Sequence, residues 1–226
     1  RLNDRIVQSR FAPYTKRGRI YGQPHDVHPV LLAYRADVFE ELGLKAEELD
    51  TWDKFIAAGK RVVVRTGQRP RYLIGLEDNN NNSFEVLLFQ RGGGYFDAAG
   101  TLVMDDPVVI ETVLWFIPLV AGPERVAANP GWGVEFARNF GGSPNDPRPY
   151  VLAVITPDWR SKIIERDMPW LDGRVKLMPL PAFTPGGRRT STWGGTMLGI
   201  SKRTLEPQKP WQFAQHLYLY VEHLEQ

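Results

Sequence analysis

The chain has 226 residues, 42% of them hydrophobic, a formal net charge of +2 from 28 basic and 26 acidic side chains, and no cysteine. That is apolar material enough for one large domain or two small lobes, and charges of both signs scattered along the chain leave no footprint for DNA, RNA or an anionic lipid surface. The missing cysteines exclude disulfides, thiolate nucleophiles and Cys-ligated zinc. No apolar run approaches the ~20 residues that cross a bilayer; the longest, Val108 to Val120, is interrupted by Glu111 and Pro118, so a soluble chain is expected. It opens on Arg1 with no charged segment leading into an apolar stretch, so either a signal peptide has been removed or the chain starts partway through a larger protein, the second being the expectation.

In chain order, a turn at Gly22-Gln23-Pro24 leads into an apolar stretch from Val27 to Tyr34, broken only by His28-Pro29, that predicts a buried strand. Asp37 stands three residues before Glu40, a capping-box spacing, and Gly43 is placed to close the short helix. Asp50-Thr51 open a second helix with Phe55, Ile56 and Ala58 on its apolar stripe, followed by a predicted strand at Val62 to Val64. A strand from Tyr72 to Leu76 runs into a loop of four asparagines, Asn79 to Asn82, and then a helix ending at Gly92-Gly93-Gly94. Asp106-Pro107 start another helix, which Pro118 is expected to stop or kink.

Trp132 and Phe136 read as anchors of a helix leading to Phe140-Gly141-Gly142. Strands are expected at Tyr150 to Ile155, Val175 to Leu180 and Met197 to Ser201, with Pro157-Asp158-Trp159 turning into a helix after the first of them. Phe213, Leu217, Tyr220, Val221 and Leu224 share one face of a terminal helix. Alternating strands and helices predict an α/β architecture with largely parallel sheets. No Gly-x-Ser-x-Gly elbow, His-Glu-x-x-His helix or phosphate loop occurs. Glycoside hydrolysis asks only for two carboxylates facing each other across a cleft, which a sequence leaves open.

Several short landmarks fall in a shared order: Tyr21-Gly22-Gln23-Pro24, Tyr34 to Phe39, Thr51-Trp52-Asp53, Gln90-Arg91-Gly92-Gly93, Phe140-Gly141, Pro157-Asp158-Trp159, Pro179-Leu180-Pro181, and Trp193-Gly194-Gly195 leading into Gly199-Ile200-Ser201-Lys202. In these the chain resembles the central part of the family-1 extracellular solute-binding proteins, the carbohydrate-binding group of ABC importers. The resemblance implies a type II periplasmic-binding-protein-like α/β fold, in which two lobes joined by a hinge hold ligand in the cleft between them and ligand favours the closed state. On that pattern, residues 1–36 are a first-lobe remnant and hinge strand, 37–189 a second α/β lobe, and 190–226 a return strand and first-lobe helix. The family's usual start, about a hundred residues of first lobe, and its closing helices have no counterpart here, and Ser143 to Pro149 is an insertion.

The resemblance also nominates a site. Trp159 falls where family members stack an aromatic ring on a sugar, although a tryptophan there equally suits helix-on-sheet packing. Asp158 beside it serves either as a hydroxyl acceptor or as a helix cap. Asn80 and Asn82 match positions that offer polar groups to the ligand, with a solvated loop as the plainer alternative. Asp26 and His28 lie in the crossing strand that points polar side chains into the cleft, and His28 is otherwise a structural histidine before Pro29. Trp193, Gly194 and Gly195 would cover the ligand and let backbone amides approach it, or simply make a tight turn.

His25 and His28 are spaced like metal ligands but have no third partner nearby in sequence; no metal and no cofactor is implied. The implied function is non-covalent binding of a mono- or oligosaccharide and its delivery to a membrane permease. The implied location is periplasmic or extracellular, with lipid anchoring as the Gram-positive-type arrangement. The alternatives are a carbohydrate-active enzyme or sugar-sensing domain with the same cleft chemistry, and an interaction module without a small-molecule ligand.

Overall fold

The computed structural model describes residues 8–66, 70–97 and 99–219. Contacts divide the chain into two compact units, Pro29–Trp193 on the one hand and Arg1–His28 with Gly194–Gln226 on the other. The strands are β1 (Thr15–Lys16), β2 (Arg19–Ile20), β3 (Gln23–Pro24), β4 (Val30–Arg35), β5 (Tyr72–Gly75), β6 (Ala127–Ala128), β7 (Val151–Pro157), β8 (Val175–Met178) and β9 (Met197–Leu198). The helices are α1 (Ala36–Leu42), α2 (Trp52–Thr66), α3 (Asn82–Gln90), α4 (Pro107–Val120), α5 (Val134–Phe136), α6 (Asp158–Asp167) and α7 (Gln208–Leu219). No helix among the described residues is long and apolar enough to cross a membrane.

The unit Pro29–Trp193 is built on a five-stranded sheet in the order β6-β5-β7-β4-β8. Every residue of β7, the middle strand, is buried, as befits a strand covered on both faces. Neighbouring residues of β4 point to opposite cores: Leu32 joins Phe39, Trp52, Phe55 and Leu73, while Ala33 joins Phe136, Phe140, Val154 and Ile164. Helices therefore pack on both sides, and the period-two alternation of a strand is what divides the apolar residues between them.

The sheet is mixed rather than largely parallel. β5 runs parallel to β6 and β7, but β4 is antiparallel to both β7 and β8. One helix, α6, separates β7 from β8, and those two run the same way. Two helices, α1 and α2, stand between β4 and β5, which are not neighbours in the sheet because β7 lies between them.

Local details also depart from the sequence expectations. Val62 and Val63 lie in α2, not in a strand. Phe55, Ala58 and Val62 form a buried stripe of that helix, and this packing overrides the β preference of the valines. Asp37 does not cap α1; its carboxylate takes a fork from Arg35, Nε to Oδ1 at 2.9 Å and Nη2 to Oδ2 at 2.7 Å. Gly43 closes that helix at φ 68° as expected. Asp106 caps α4 by accepting from Val108 N–H at 2.8 Å. Pro118 does not stop α4, which runs on to Val120; it sits on the exposed side near Leu114, where water can take up the carbonyl it leaves unbonded.

The other unit holds two small antiparallel pairs, β1 with β2 and β3 with β9. The stretch predicted as one strand from Val27 is extended strand only from Val30, because the His28-Pro29 step interrupts the ladder. The strand expected at Met197 to Ser201 shrinks to two residues. On α7, Phe213 and Leu217 are 64% and 44% exposed while Ala214 is fully buried, so the bulky residues face out and the small one faces in. Tyr220, Val221 and Leu224 lie outside the described residues.

Candidate functional site

β7 ends at Pro157, whose extended backbone (φ −72°, ψ 165°) precedes α6, so Asp158, Trp159 and Arg160 occupy the helix's first turn. Two other segments of the same unit bring tryptophans to this place. Trp132 lies between Gly131 and Gly133, both at positive φ (71° and 56°), which lets a tight loop present the ring. Trp193 follows Thr192, which bridges to Pro29, and Ser191, whose hydroxyl donates to the carbonyl of Val86 at 2.6 Å.

The three rings form one cluster. Trp132 and Trp159 are stacked, 14° from parallel with centroids 6.1 Å apart. Trp193 meets them edge to face, at 6.2 Å from Trp132 and 5.9 Å from Trp159. Exposure grades across the cluster: Trp132 is 46% exposed, Trp159 half-buried and Trp193 only 8% exposed. The arrangement offers apolar ring faces at a surface, the feature that binds the C–H side of a pyranose.

Arg160 packs inside the cluster. Its guanidinium carbon lies 4.4 Å from the centroid of Trp193, 4.5 Å from Trp132, 5.1 Å from Phe136 and 5.5 Å from Trp159, all within cation–π range. Nη1 donates to the carbonyl of Ile155 at 3.1 Å, and Nη2 reaches Glu77 Oε1 at 3.5 Å. The two side chains are 3% and 1% exposed. Burial draws the Arg160 pKa down to about 10, against the opposing pull of the Glu77 charge, and the group stays charged at neutral pH.

Glu77 follows β5, at the carboxyl end of the strand. Its other oxygen, Oε2, accepts from Asn82 Nδ2 at 2.8 Å, and its backbone N–H donates to Ser83 Oγ at 2.9 Å. Next to it, Asp78 Oδ1 accepts from Asn129 Nδ2 at 2.7 Å, and Asn129 Oδ1 accepts from Gly131 N–H at 2.9 Å. A chain of hydrogen bonds thus links the end of β5, the start of α3, the Trp132 loop and the first turn of α6.

Of the residues expected from sequence, Trp159 and Trp193 come together, and Asn82 joins them through Glu77 and Arg160. Asp158 is exposed on the first turn of α6, its carbonyl accepting from Ser161 Oγ at 2.5 Å. Asn80 is exposed, and its amide serves the loop itself: Oδ1 accepts from Asn82 N–H at 2.8 Å and Nδ2 donates to Asn79 at 3.1 Å.

Asp26, His28, Gly194 and Gly195 belong to the other unit. There Asp26 gathers several donors. Thr196 N–H reaches Oδ1 at 2.6 Å and Thr196 Oγ1 reaches Oδ2 at 2.5 Å. His28 Nε2 lies 3.2 Å away, His25 Nδ1 3.5 Å and Arg10 Nη2 3.9 Å. Burial works to raise the Asp26 pKa, but the Thr196 hydrogen bonds and the two histidines hold it below the ordinary carboxylate value. The carbonyl of Gly195 accepts from Tyr14 Oη at 3.0 Å.

Trp132, Arg160 and Glu77 were not singled out from sequence. The sequence pattern makes Trp132 a helix anchor, yet its two flanking glycines are the mark of a presented loop. Glu77 stands at the carboxyl end of a sheet strand, where α/β folds place ligand groups. Arg160 carries no such signal, because nothing in a sequence says which cation an aromatic cluster will enclose.

The sequence profile described as "Bacterial extracellular solute-binding protein" matches residues 1–219. An arabinooligosaccharide-binding protein of Halalkalibacterium halodurans is 31% identical over 201 residues, covering 89% of this chain and 44% of the relative. A lactose-binding protein of Rhizobium radiobacter is 26% identical, covering 96% and 51%. Among solved structures, the ABC transporter associated binding protein from B. animalis subsp. lactis, in complex with β-1,6-galactobiose, superposes with a TM-score of 0.75 at 16% identity, over 98% of this chain and 53% of that one. The last likeness shows the fold. The chain spans about half the length of the curated relatives it matches.

Proposed function

This chain belongs to the bacterial extracellular solute-binding protein family, and from that premise we propose that it binds a neutral mono- or oligosaccharide without chemical change, on the face made by Trp132, Trp159 and Trp193, for delivery to the permease of an ABC importer. The proposed location is the periplasm or the outer surface of the cell. The observation that carries this reading is the tryptophan cluster itself: three rings from three separate segments, graded from exposed to buried, converge at the carboxyl ends of sheet strands. Two of the matched relatives are named for saccharides, which agrees with a flat apolar recognition surface. Asp158 and Asn80, exposed on neighbouring segments of the same unit, are proposed as hydroxyl partners. On the other unit, taken by itself, Asp26, His28, Gly194 and Gly195 are proposed as ligand contacts.

The test is isothermal titration of the chain with arabinobiose, arabinotriose, lactose and β-1,6-galactobiose, with the ligand recovered and analysed afterwards. Saturable binding that shifts tryptophan emission, changes little with salt because no counterions are released, and returns the saccharide intact is the expected result. No binding of any of them at millimolar concentration, or cleavage of a glycosidic bond, overturns the proposal.

A further inference from the structure

The cage that encloses Arg160 is built from the kind of rings that elsewhere take quaternary ammonium ligands, and here it already holds a cation of the chain's own. We propose that Arg160, anchored by Glu77, is the resident cation of the tryptophan platform: a positioning residue that fixes the angles of Trp132, Trp159 and Trp193 and closes their faces to cationic ligands. The inference rests on the platform being the saccharide site for its purpose, but its geometric content stands without any sugar.

Four rings surround one guanidinium at 4.4 to 5.5 Å. A planar cation can lie against ring faces that approach from different directions, whereas an aliphatic side chain of the same volume imposes no such orientation. Arg160 is itself held from two sides, by the carbonyl of Ile155 and the carboxylate of Glu77, and Glu77 is tied to Asn82 in turn. The three tryptophans come from different segments, the Trp132 loop, α6 and the stretch after Ser191, so their mutual angles are not set by any one element. The guanidinium lies within cation–π range of all three. A second cation arriving at the outer faces would meet rings whose negative faces already attend a charge, and a like charge behind them in a place largely closed to water. A neutral sugar meets neither penalty.

The test begins without sugar. The double variant Glu77→Gln with Arg160→Met removes both charges together, so that no lone buried charge is left to unfold the protein. It should keep the cooperative urea unfolding of the parent and lose at least about half of the near-UV circular dichroism of the clustered tryptophans. Arg160→Lys, which retains the charge, should lose less. Arg160→Ala should bind methylguanidinium saturably and recover the near-UV signal, while neutral methylurea, of similar shape, should not restore it. The unmodified chain should show no tryptophan response to tetramethylammonium.

A double variant with unchanged near-UV dichroism, or saturable tetramethylammonium binding by the unmodified chain, overturns the inference. Lactose and arabinotriose titrations of the parent and the double variant then address the purpose: a fall in affinity of about tenfold or more supports it, and equal affinities overturn it. A parent chain that binds no saccharide would bring down the saccharide reading alone, because the spectroscopic arms need no sugar.

Discussion

In the unit Pro29–Trp193, the Arg160 and Glu77 side chains are 3% and 1% exposed and meet among aromatic rings. In the other unit, Asp26 keeps 19% of its side chain exposed and gathers Thr196, His25, His28 and Arg10 around one carboxylate. Both are charge clusters, but the first sits where water does not compensate a lost partner and the second where it does. A buried pair works as a geometric clamp that is costly to break. A partly exposed cluster is worth less, is screened by salt and responds to pH.

The sharpest way to break this contrast is Glu77→Leu, which leaves Arg160 charged and unpaired in the core. It should lower the unfolding free energy by about 3–5 kcal/mol, measured by urea denaturation; a loss under about 1 kcal/mol would mean that the rings and the Ile155 carbonyl hold the guanidinium without the carboxylate.

Trp159→Ala comes next. Its ring is half-buried and packs on Trp132 and Trp193, so a stability loss of about 1–3 kcal/mol is expected. The loss in saccharide affinity should be more than about tenfold. Calorimetry on the folded variant separates the two, and an unchanged affinity would return Trp159 to a purely packing role.

Gly195→Ala probes the Asp26 cluster through its backbone. Gly195 sits at φ 123°, and a Cβ there would fall 1.8 Å from Arg10 Nη2. The long Arg10 side chain can move aside, but the backbone conformation cannot be adopted cheaply by alanine, and about 1–3 kcal/mol of destabilisation is expected. A neutral result by thermal denaturation would show that the turn relaxes.

Asp26→Asn should cost under about 1 kcal/mol at neutral pH and reveal the pH response of the cluster. The folded pKa of Asp26 lies below its ordinary value of 3.8, so on acidification the unfolded chain takes up the proton first. The stability this carboxylate contributes is therefore present above that ordinary value and lost as pH falls through the folded pKa. The gap between parent and variant should close in acid; a gap that persists unchanged there would assign the effect to shape instead of charge.

Asn80→Ala is the mildest change. Removing the oxygen that accepts from Asn82 N–H should cost about 0.5–1 kcal/mol at the start of α3, and any accompanying fall in saccharide affinity would mark Asn80 as a ligand contact as well as a loop brace.

Much of the fold was legible because local chemistry decided it. Gly43, Asp106 and the break at Gly92 fall where the chain's own φ preferences and caps demand them, and the short apolar runs that become β4, β5 and β7 are bounded by turn residues, the pattern expected of strands. What went astray was decided by neighbours distant in sequence. Val62 and Val63 are helical because the stripe Phe55–Ala58–Val62 has a sheet to pack on. Phe213 and Leu217 face outward because nothing in the helix pattern says which side will be covered.

The site divides along the same line. Trp159 and Trp193 are nominated by the family resemblance that short landmarks carry, and the structure brings their rings together; their role as ligand contacts is the proposal made above. That Trp132 joins them, that Arg160 lies among all three, and that Glu77 supports it are facts about segments distant in sequence, Trp132 from Trp159 by 27 residues and Glu77 from Arg160 by 83. Sequence determined which side chains were available and which elements carried them. Only the tertiary structure could decide that a cation would be buried against tryptophan faces, because that balance of desolvation against ring contacts and one carboxylate exists only once the segments have closed around it.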